Sequence, residues 1–293
     1  MVFMILPKVL FAHQAPTLID NFAACKLWRV RVVDLGDSDF EETKLLAAQP
    51  CASVAGAAWV FVCSPMQLDN AQRLHANYGT KVCWLMHNGK PNSNIRRTIT
   101  RRNTHRIACM STRNAEQVRA WFGTDIPVYV LRPSYEPAPR WEWAGDTSWT
   151  IKSRPWLRDR TALDHVHQVI RRAGAFDHRW YGQGQPNGFI MPGEKSKLMQ
   201  RCSCYVSCLP DWAGFGLTEH ECMAAGVPVV GSRWGDTAGR TMDALLSDDV
   251  ETQIQCLKLS RQRDMMVSEA QYDYLRDMCS PERQRRSIER FLA

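Results

Sequence analysis

Residues 211–232 read DWAGFGLTEHECMAAGVPVVGS: a glycine-rich turn, a short helical stretch and a buried strand in immediate succession. Gly214 and Gly216 let the backbone turn tightly and bring no side chain to the amides that follow. The amides of Gly216, Leu217 and Thr218 then stand at a helix start, where the first N–H groups have no partner within the helix. With the positive end of the helix dipole they make a site for an anion, phosphate above all. Glu221 lies one turn further on and can face the same ligand, while Met223 and Ala224 are expected to face the core. Gly226 stops the helix, and Pro228 with Val229 and Val230 begins a strand. An ordinary helix and strand of an α/β core, with no ligand, is the alternative reading of the same pattern.

Outward from this stretch the chain alternates short apolar runs with helix-length polar ones. KVLFA, VRVVDL, AAWVFVCS, KVCWLM, RIACMS and PVYVLRP occupy the first half; TSWTIKS, HRWYG, GFIMPG, CYVSCLP and PVVGS occupy the second. Such alternation predicts α/β architecture with mostly parallel sheets. At 293 residues and 45% hydrophobic content the chain is long enough for two such domains. SYEPAPRWEWAGD, with Pro137 and Pro139 in it and Pro133 just before, is the expected linker. PERQRRSIERFLA reads as an amphipathic helix carrying Ile288, Phe291 and Leu292. The opening MVFMILPKVLFA is broken by Pro7 and Lys8, so it is expected to be the first buried strand rather than a signal peptide, and no apolar run reaches bilayer length. The 11 cysteines are scattered without a Cys-x-x-Cys pair. This usage predicts buried thiols, no structural zinc and a reducing cytoplasm.

The opening string resembles the nucleotide-sugar signature of the retaining, glycogen-synthase-like glycosyltransferases of the GT-B fold. That signature runs Glu-Gly-Phe-Gly-Leu, three residues, Glu-Ala-Met-Ala, a small residue, Gly, then x-Pro-Val-Val. Gly214, Phe215, Gly216, Leu217, Glu221, Met223, Ala224, Gly226, Pro228, Val229 and Val230 fall in place, and Ala213 replaces the first Glu. The resemblance implies two Rossmann-like domains facing across a cleft. Residues 1–135 would bind the acceptor, residues 145–275 the nucleotide sugar, and residues 276–293 would form a helix crossing back to the first domain. It places the ribose hydroxyls on Glu221 and the diphosphate on the amides of residues 216–218. Asp211, two residues before Ala213, is the acid left to meet the donor sugar.

By the same resemblance, His87 after KVCWLM touches the donor sugar or the nascent bond, and His13 after KVLFA sits on the acceptor side. An Arg and a Lys after the second domain's first strand would neutralise the diphosphate; Lys152, Arg154, Arg158 and Arg160 are available, and the spacing does not choose among them. Ile190 and Met191 would read the nucleobase through their backbone. The implied chemistry is sugar transfer with retention from a UDP- or GDP-linked donor. It needs no metal and no further cofactor, because cations stabilise the departing phosphate.

Charge points to the acceptor. Residues 1–140 hold 17 Lys and Arg against 10 Asp and Glu, whereas residues 141–293 hold 20 of each. Residues 81–119 carry nine basic residues and one acid, Glu116, and Arg96, Arg97, Arg101 and Arg102 lie among Thr and Asn. This is a composition suited to phosphate contact. A membrane-docking helix would show an exposed apolar face, and the run offers only Ile95, Ile99 and Ile107. The expected acceptor is therefore anionic: a hydroxylated pyrimidine in DNA, flipped out of the duplex, as for bacteriophage DNA-modifying glycosyltransferases, which the chain resembles in size and charge. An envelope polysaccharide or glycolipid at an anionic membrane surface is the alternative. A solvated arginine-rich face without a partner is the plain reading of the same run. Readings of other classes are a nucleotide-sugar epimerase and a non-catalytic nucleic-acid-binding relic.

Overall fold

The computed structural model describes residues 6–12, 16–33, 35, 54–86, 93–123, 125–137, 147–152, 160–182, 185–188, 190, 192–209, 213–237, 247–261 and 269–293. They fall into two compact units, Met1–Ser134 with Pro281–Ala293, and Tyr135–Ser280.

The first unit is built on six parallel strands: β1 (Lys8–Ala12), β2 (Arg29–Val33), β3 (Ala57–Val62), β4 (Lys81–Met86), β5 (Arg106–Cys109) and β6 (Val128–Val130), in the order β2-β1-β3-β4-β5-β6. These are the six apolar runs of the first half. β1, β3, β4 and β5 lack polar alternation, as strands covered on both faces do, whereas the edge strand β2 alternates exposed Arg29 and Arg31 with valines. On one face Leu10, Val60, Val62, Val82, Trp84 and Ile107 pack with Leu68 and Ala71 of α2 (Pro65–Tyr78) and Ala115 and Val118 of α4 (Thr112–Phe122). Between them α1 (Pro16–Ala24) and α3 (Ser93–Thr98) complete the alternation.

The other face is aromatic. Phe11 stacks on Phe61 at 4.6 Å, and Phe291 of the C-terminal helix Pro281–Leu292 lies 4.8 Å from Trp59 and 5.2 Å from Phe61. The Arg106 guanidinium covers Trp59 at 4.7 Å. Each ring pair adds about 0.5–1.5 kcal/mol beyond its buried area. Gln284 of the same helix accepts from the Ser134 hydroxyl at 3.0 Å and donates to Asn21, so both polar and apolar contacts hold residues 281–293 to this unit.

The second unit has four parallel strands, β7 (Ser148–Lys152), β8 (Arg179–Gly182), β9 (Cys204–Val206) and β10 (Val229–Val230), ordered β10-β9-β7-β8. Among the described residues its helices are α5 (Arg160–Ala173), α6 (Pro192–Met199), α7 (Leu217–Ala224), α8 (Val250–Arg261) and α9 (Glu269–Met278). GFIMPG, expected as a strand, gives none among the described residues. Gly188 is left-handed (φ 65°) and its carbonyl accepts from Gly182, which folds the chain back just after β8, and Pro192 opens α6.

Cys202, Cys204 and Cys208 are buried, and burial pushes the first two thiols up to about 12 and about 11. They act as small hydrophobes. At the amino edge of the sheet, the Ser148 hydroxyl lies 2.8 Å from His178 Nδ1 and the Thr150 hydroxyl 3.0 Å from Nε2. Thr150 donates its own proton to the Val206 carbonyl at 2.6 Å, so His178 is the donor to Thr150 and Ser148 the donor to His178. The imidazole is thereby held neutral, and burial drops its pKa to about 3.

Among the described residues no helix is long and apolar enough to cross a membrane, and no group of His, Cys, Asp or Glu is arranged to hold a metal ion. Asp37 and Asp39, an Asp-x-Asp pair, lie outside the described residues.

Candidate functional site

In a parallel sheet, ligands gather at the carboxyl ends of strands where the strand order reverses. In the second unit that point lies between β7 and β9, which pair directly through Ser148 with Cys204 and Trp149 with Tyr205. The segment after β9 carries the glycine-rich turn, and Lys152 ends β7 beside it.

α7 begins at Gly216, whose extended backbone (φ −98°, ψ 99°) makes it the N-cap without a capping side chain. The helix closes in a Schellman arrangement: Gly226, left-handed at φ 79°, donates to the Met223 carbonyl at 3.0 Å, and Val227 to Cys222 at 2.8 Å. The register predicted from the sequence is thus the one adopted. Met223 is fully buried, as expected, whereas Ala224 is only half-buried, and Glu219, His220 and Cys222 are the other buried positions of the helix.

His220 locks the turn. Its ring stacks on Phe215 with centroids 3.8 Å apart, Nδ1 lies 2.6 Å from the Gly216 carbonyl and Nε2 3.1 Å from the Tyr274 hydroxyl of α9. Tyr135 stacks on its other side at 5.7 Å. Phe215, expected at the ligand, is therefore buried packing for the turn.

Glu221 is held by a residue the sequence did not indicate. Lys195 of α6 forms an ion pair with its carboxylate and a hydrogen bond of 3.1 Å to Thr218 Oγ1, with side-chain exposures of 18% and 12% for Lys195 and Glu221. A cation, a hydroxyl and a carboxylate therefore meet beside the first turns of α7. Lys195 lies 26 residues before Glu221 in sequence, and only the packing of α6 on α7 reveals the pair.

Glu219 points the other way. It is 3% exposed, its carboxyl accepts from the Ser207 hydroxyl at 2.9 Å, and burial raises its pKa against the opposing pull of Ser207, Lys195 and Tyr205. Ala213, where the resemblance would place a carboxylate, is buried at 1% exposure.

The structure thus brings together Gly214, Phe215, Gly216, Leu217, Thr218 and Glu221. Ile190 is half-buried just before α6. His13, His87, Arg154, Arg158, Met191 and Asp211 lie outside the described residues, as do the side chains of Lys152 and Arg160.

In the first unit, Arg96, Arg97, Arg101 and Arg102 are exposed. Arg96 lies over Trp121 at 5.9 Å. The polar residues among them are occupied structurally: Asn103 accepts from the Thr100 amide and donates to the Thr98 carbonyl, both at 2.8 Å. Ile95, Ile99 and Ile107 belong to the core, leaving no apolar face for a membrane. Arg101 and Arg102 sit in the turn that leads into the amino end of β5, away from the carboxyl edge.

No protein-family model matches the chain, and no curated protein matches it in sequence. In structure it is similar to Anabaena Alr3699/HepE in complex with UDP and glucose, with a TM-score of 0.66 and 13% identity over 98% of this chain and 99% of that one. It is also similar to sucrose-phosphate synthase from Thermosynechococcus elongatus, with a TM-score of 0.63 and 12% identity over 98% of each chain. The lipopolysaccharide outer core galactosyltransferase WaaB gives a TM-score of 0.53 and 9% identity over 97% of this chain and 99% of that one. These likenesses span whole chains, and the fold of this protein is the GT-B fold of nucleotide-sugar glycosyltransferases.

Proposed function

We propose that the chain is a glycosyltransferase that moves a sugar from a UDP-linked donor to the hydroxyl of an anionic acceptor. The observation that carries this reading is the start of α7: a glycine N-cap at the switch point, with Lys195, Thr218 and Glu221 gathered beside it. HepE, similar throughout its length, was solved with UDP-glucose, which favours UDP over GDP.

On this reading the amides of residues 216–218 hold the diphosphate and Glu221 the ribose hydroxyls. Ile190 and Met191 meet the base, Asp211 and His87 flank the sugar, and Lys152, Arg154 and Arg158 are the cations of the departing phosphate. The bond from the anomeric carbon to the diphosphate breaks, and the acceptor oxygen takes its place on the same face. The acceptor proton passes to the departing phosphate, so configuration is retained. Preorganised amides and cations lower the barrier by meeting the charge that develops on the leaving group.

On this reading the exposed arginines Arg96, Arg97, Arg101 and Arg102 dock the body of a long polyanion, and His13 is a further acceptor contact. DNA carrying a hydroxylated pyrimidine is the first acceptor of this kind. The core of an envelope lipopolysaccharide is the second, favoured by the likeness to WaaB.

Release of nucleotide from UDP- and GDP-sugars, measured with hydroxymethylated DNA and separately with lipopolysaccharide core, tests both readings. Turnover with UDP-sugar and one of the two polyanions is expected; no turnover with any donor and acceptor would sink the enzyme reading. Glu221→Ala is expected to weaken UDP binding about ten- to a hundredfold, through lost charged hydrogen bonds to the ribose. Unchanged affinity by calorimetry removes Glu221 from the site.

A further inference from the structure

The α7 turn holds a second carboxyl that the donor-binding scheme does not use. Glu219 is buried on the underside of the turn, while Glu221 sits two residues on with Lys195. Three observations tie Glu219 to the position of the turn. Its carboxyl accepts from the Ser207 hydroxyl at 2.9 Å, and that hydroxyl accepts from the Leu209 amide at 3.3 Å. Ser207 and Leu209 are where the chain leaves β9, and Glu219 is in the first turn of α7, so this relay joins the two ends of the turn. A Cβ built on Gly216 would overlap Glu219 Oε2 and Leu209 Cδ1, so the carboxyl fills the space directly beneath the N-cap and leaves room there for glycine alone.

We propose that Glu219 is a positioning residue for the nucleotide: its carboxyl braces Gly216 from below and sets the amides of residues 216–218 for the diphosphate. The proposal rests on the donor reading above. The chain lacks the ligand-side acid at Ala213 and carries instead an acid on the underside of the same turn.

Glu219 is held by more than one donor: the Ser207 hydroxyl at 2.9 Å, the Tyr205 hydroxyl from β9 and its own backbone amide, with Leu209 on its apolar side. Burial pushes its carboxyl above the ordinary glutamate range, and these donors with Lys195 pull against that. Glu221 engages Lys195 directly, so Glu219 is fixed by hydroxyls rather than by an ion pair of its own.

The test is UDP binding by calorimetry on the full chain, for wild type, Glu219→Gln and Glu219→Leu. Gln keeps the acceptor and the shape without titrating; Leu keeps the volume and removes the acceptor. Near neutral pH, Gln is expected to bind UDP within about twofold of wild type and Leu about tenfold more weakly, the cost of orphaning the Ser207 hydroxyl and loosening the turn. Thermal melts run alongside, so that binding is compared only where each variant is folded. Should Leu misfold, Ser207→Ala, which removes the hydroxyl that ties the carboxyl to the end of β9, takes its place and is expected to bind UDP several-fold more weakly while Glu219→Gln stays near wild type. Wild-type affinity in Glu219→Leu or, where Leu misfolds, in Ser207→Ala, or a loss in Glu219→Gln as large as in Glu219→Leu, overturns the bracing role and leaves the donor reading intact. Failure of wild type to bind UDP or GDP overturns the donor reading, and the bracing role with it.

Discussion

Three of the helices that follow parallel strands, α2, α4 and α7, begin in two different ways. In the first unit α2 starts at Ser64, whose hydroxyl accepts from the Gln67 amide, and α4 starts at Ser111, whose hydroxyl accepts from Asn114 at 3.1 Å. Both starts are closed by their own sequence. In the second unit α7 starts at Gly216, which brings no side chain, and the polar groups nearby, Lys195, Thr218 and Glu221, bond to one another at the helix's flank. The same strand-turn-helix unit is therefore a self-satisfied joint in one place and an uncapped helix start in the other, the one proposed above to take the diphosphate. One residue type at the N-cap makes the difference.

The comparison breaks most visibly if the open start is closed. Gly216→Ser supplies the capping hydroxyl that α2 and α4 already have, and its Cβ presses on Glu219 and Leu209 below. A loss of UDP affinity on the order of a hundredfold is expected, because the substitution both occupies an amide and displaces the turn. Calorimetry of the variant, paired with a melt showing it folded, checks this. Retention of affinity would mean that the amides of residues 216–218 do not hold the diphosphate.

The opposite edge of the same sheet sharpens the contrast. There His178 is closed in by Ser148 and Thr150 and kept neutral, with its pKa at about 3. In the unfolded chain a histidine titrates near 6.5, so between about 3 and 6.5 the unfolded chain binds a proton that the folded chain does not. Stability is thus complete above about pH 6.5 and falls as pH drops through that window. At pH 5 the loss amounts to about 2 kcal/mol. Urea titrations at pH 7 and pH 5 are expected to show this slope in wild type and a shallower one in His178→Gln. Equal slopes would remove His178 as its source.

The difference between the two edges was only partly legible in the sequence. The six strands described in the first unit were visible for two reasons: an inner parallel strand covered on both faces is apolar along its length, as in KVLFA or AAWVFV, and the edge strand RVRVV shows β-branched residues in alternation. The α7 register was visible too, since glycines at 214, 216 and 226 bracket a helix in only one way. GFIMPG, an apolar tripeptide beside glycine, fits a strand or a turn equally well, and its described residues take no part in the sheet. Lys195 and Glu219 were invisible for another reason. A lysine in PGEKSKLM and a glutamate in TEHE look like solvated residues, and their burial comes from the packing of α6, β9 and α7, whose contacts join residues 12 to 26 positions apart. Spacing rules reach one or two helical turns and no further.

The smallest effect expected from the comparison lies at its closed end. Ser111→Ala removes the hydroxyl that satisfies the Asn114 amide at the buried start of α4. Loss of such a cap costs about 1 kcal/mol, up to about 2 where the site is buried. The melting temperature should fall by a few degrees, on the order of 2–4 °C for a fold of this size. UDP affinity should stay at the wild-type value, because α4 belongs to the other unit and its start is a joint rather than a site. A drop in UDP affinity at unchanged stability would reverse the assignment, making Ser111 a ligand group and leaving the glycine N-cap no longer the feature that separates an open helix start from a closed one.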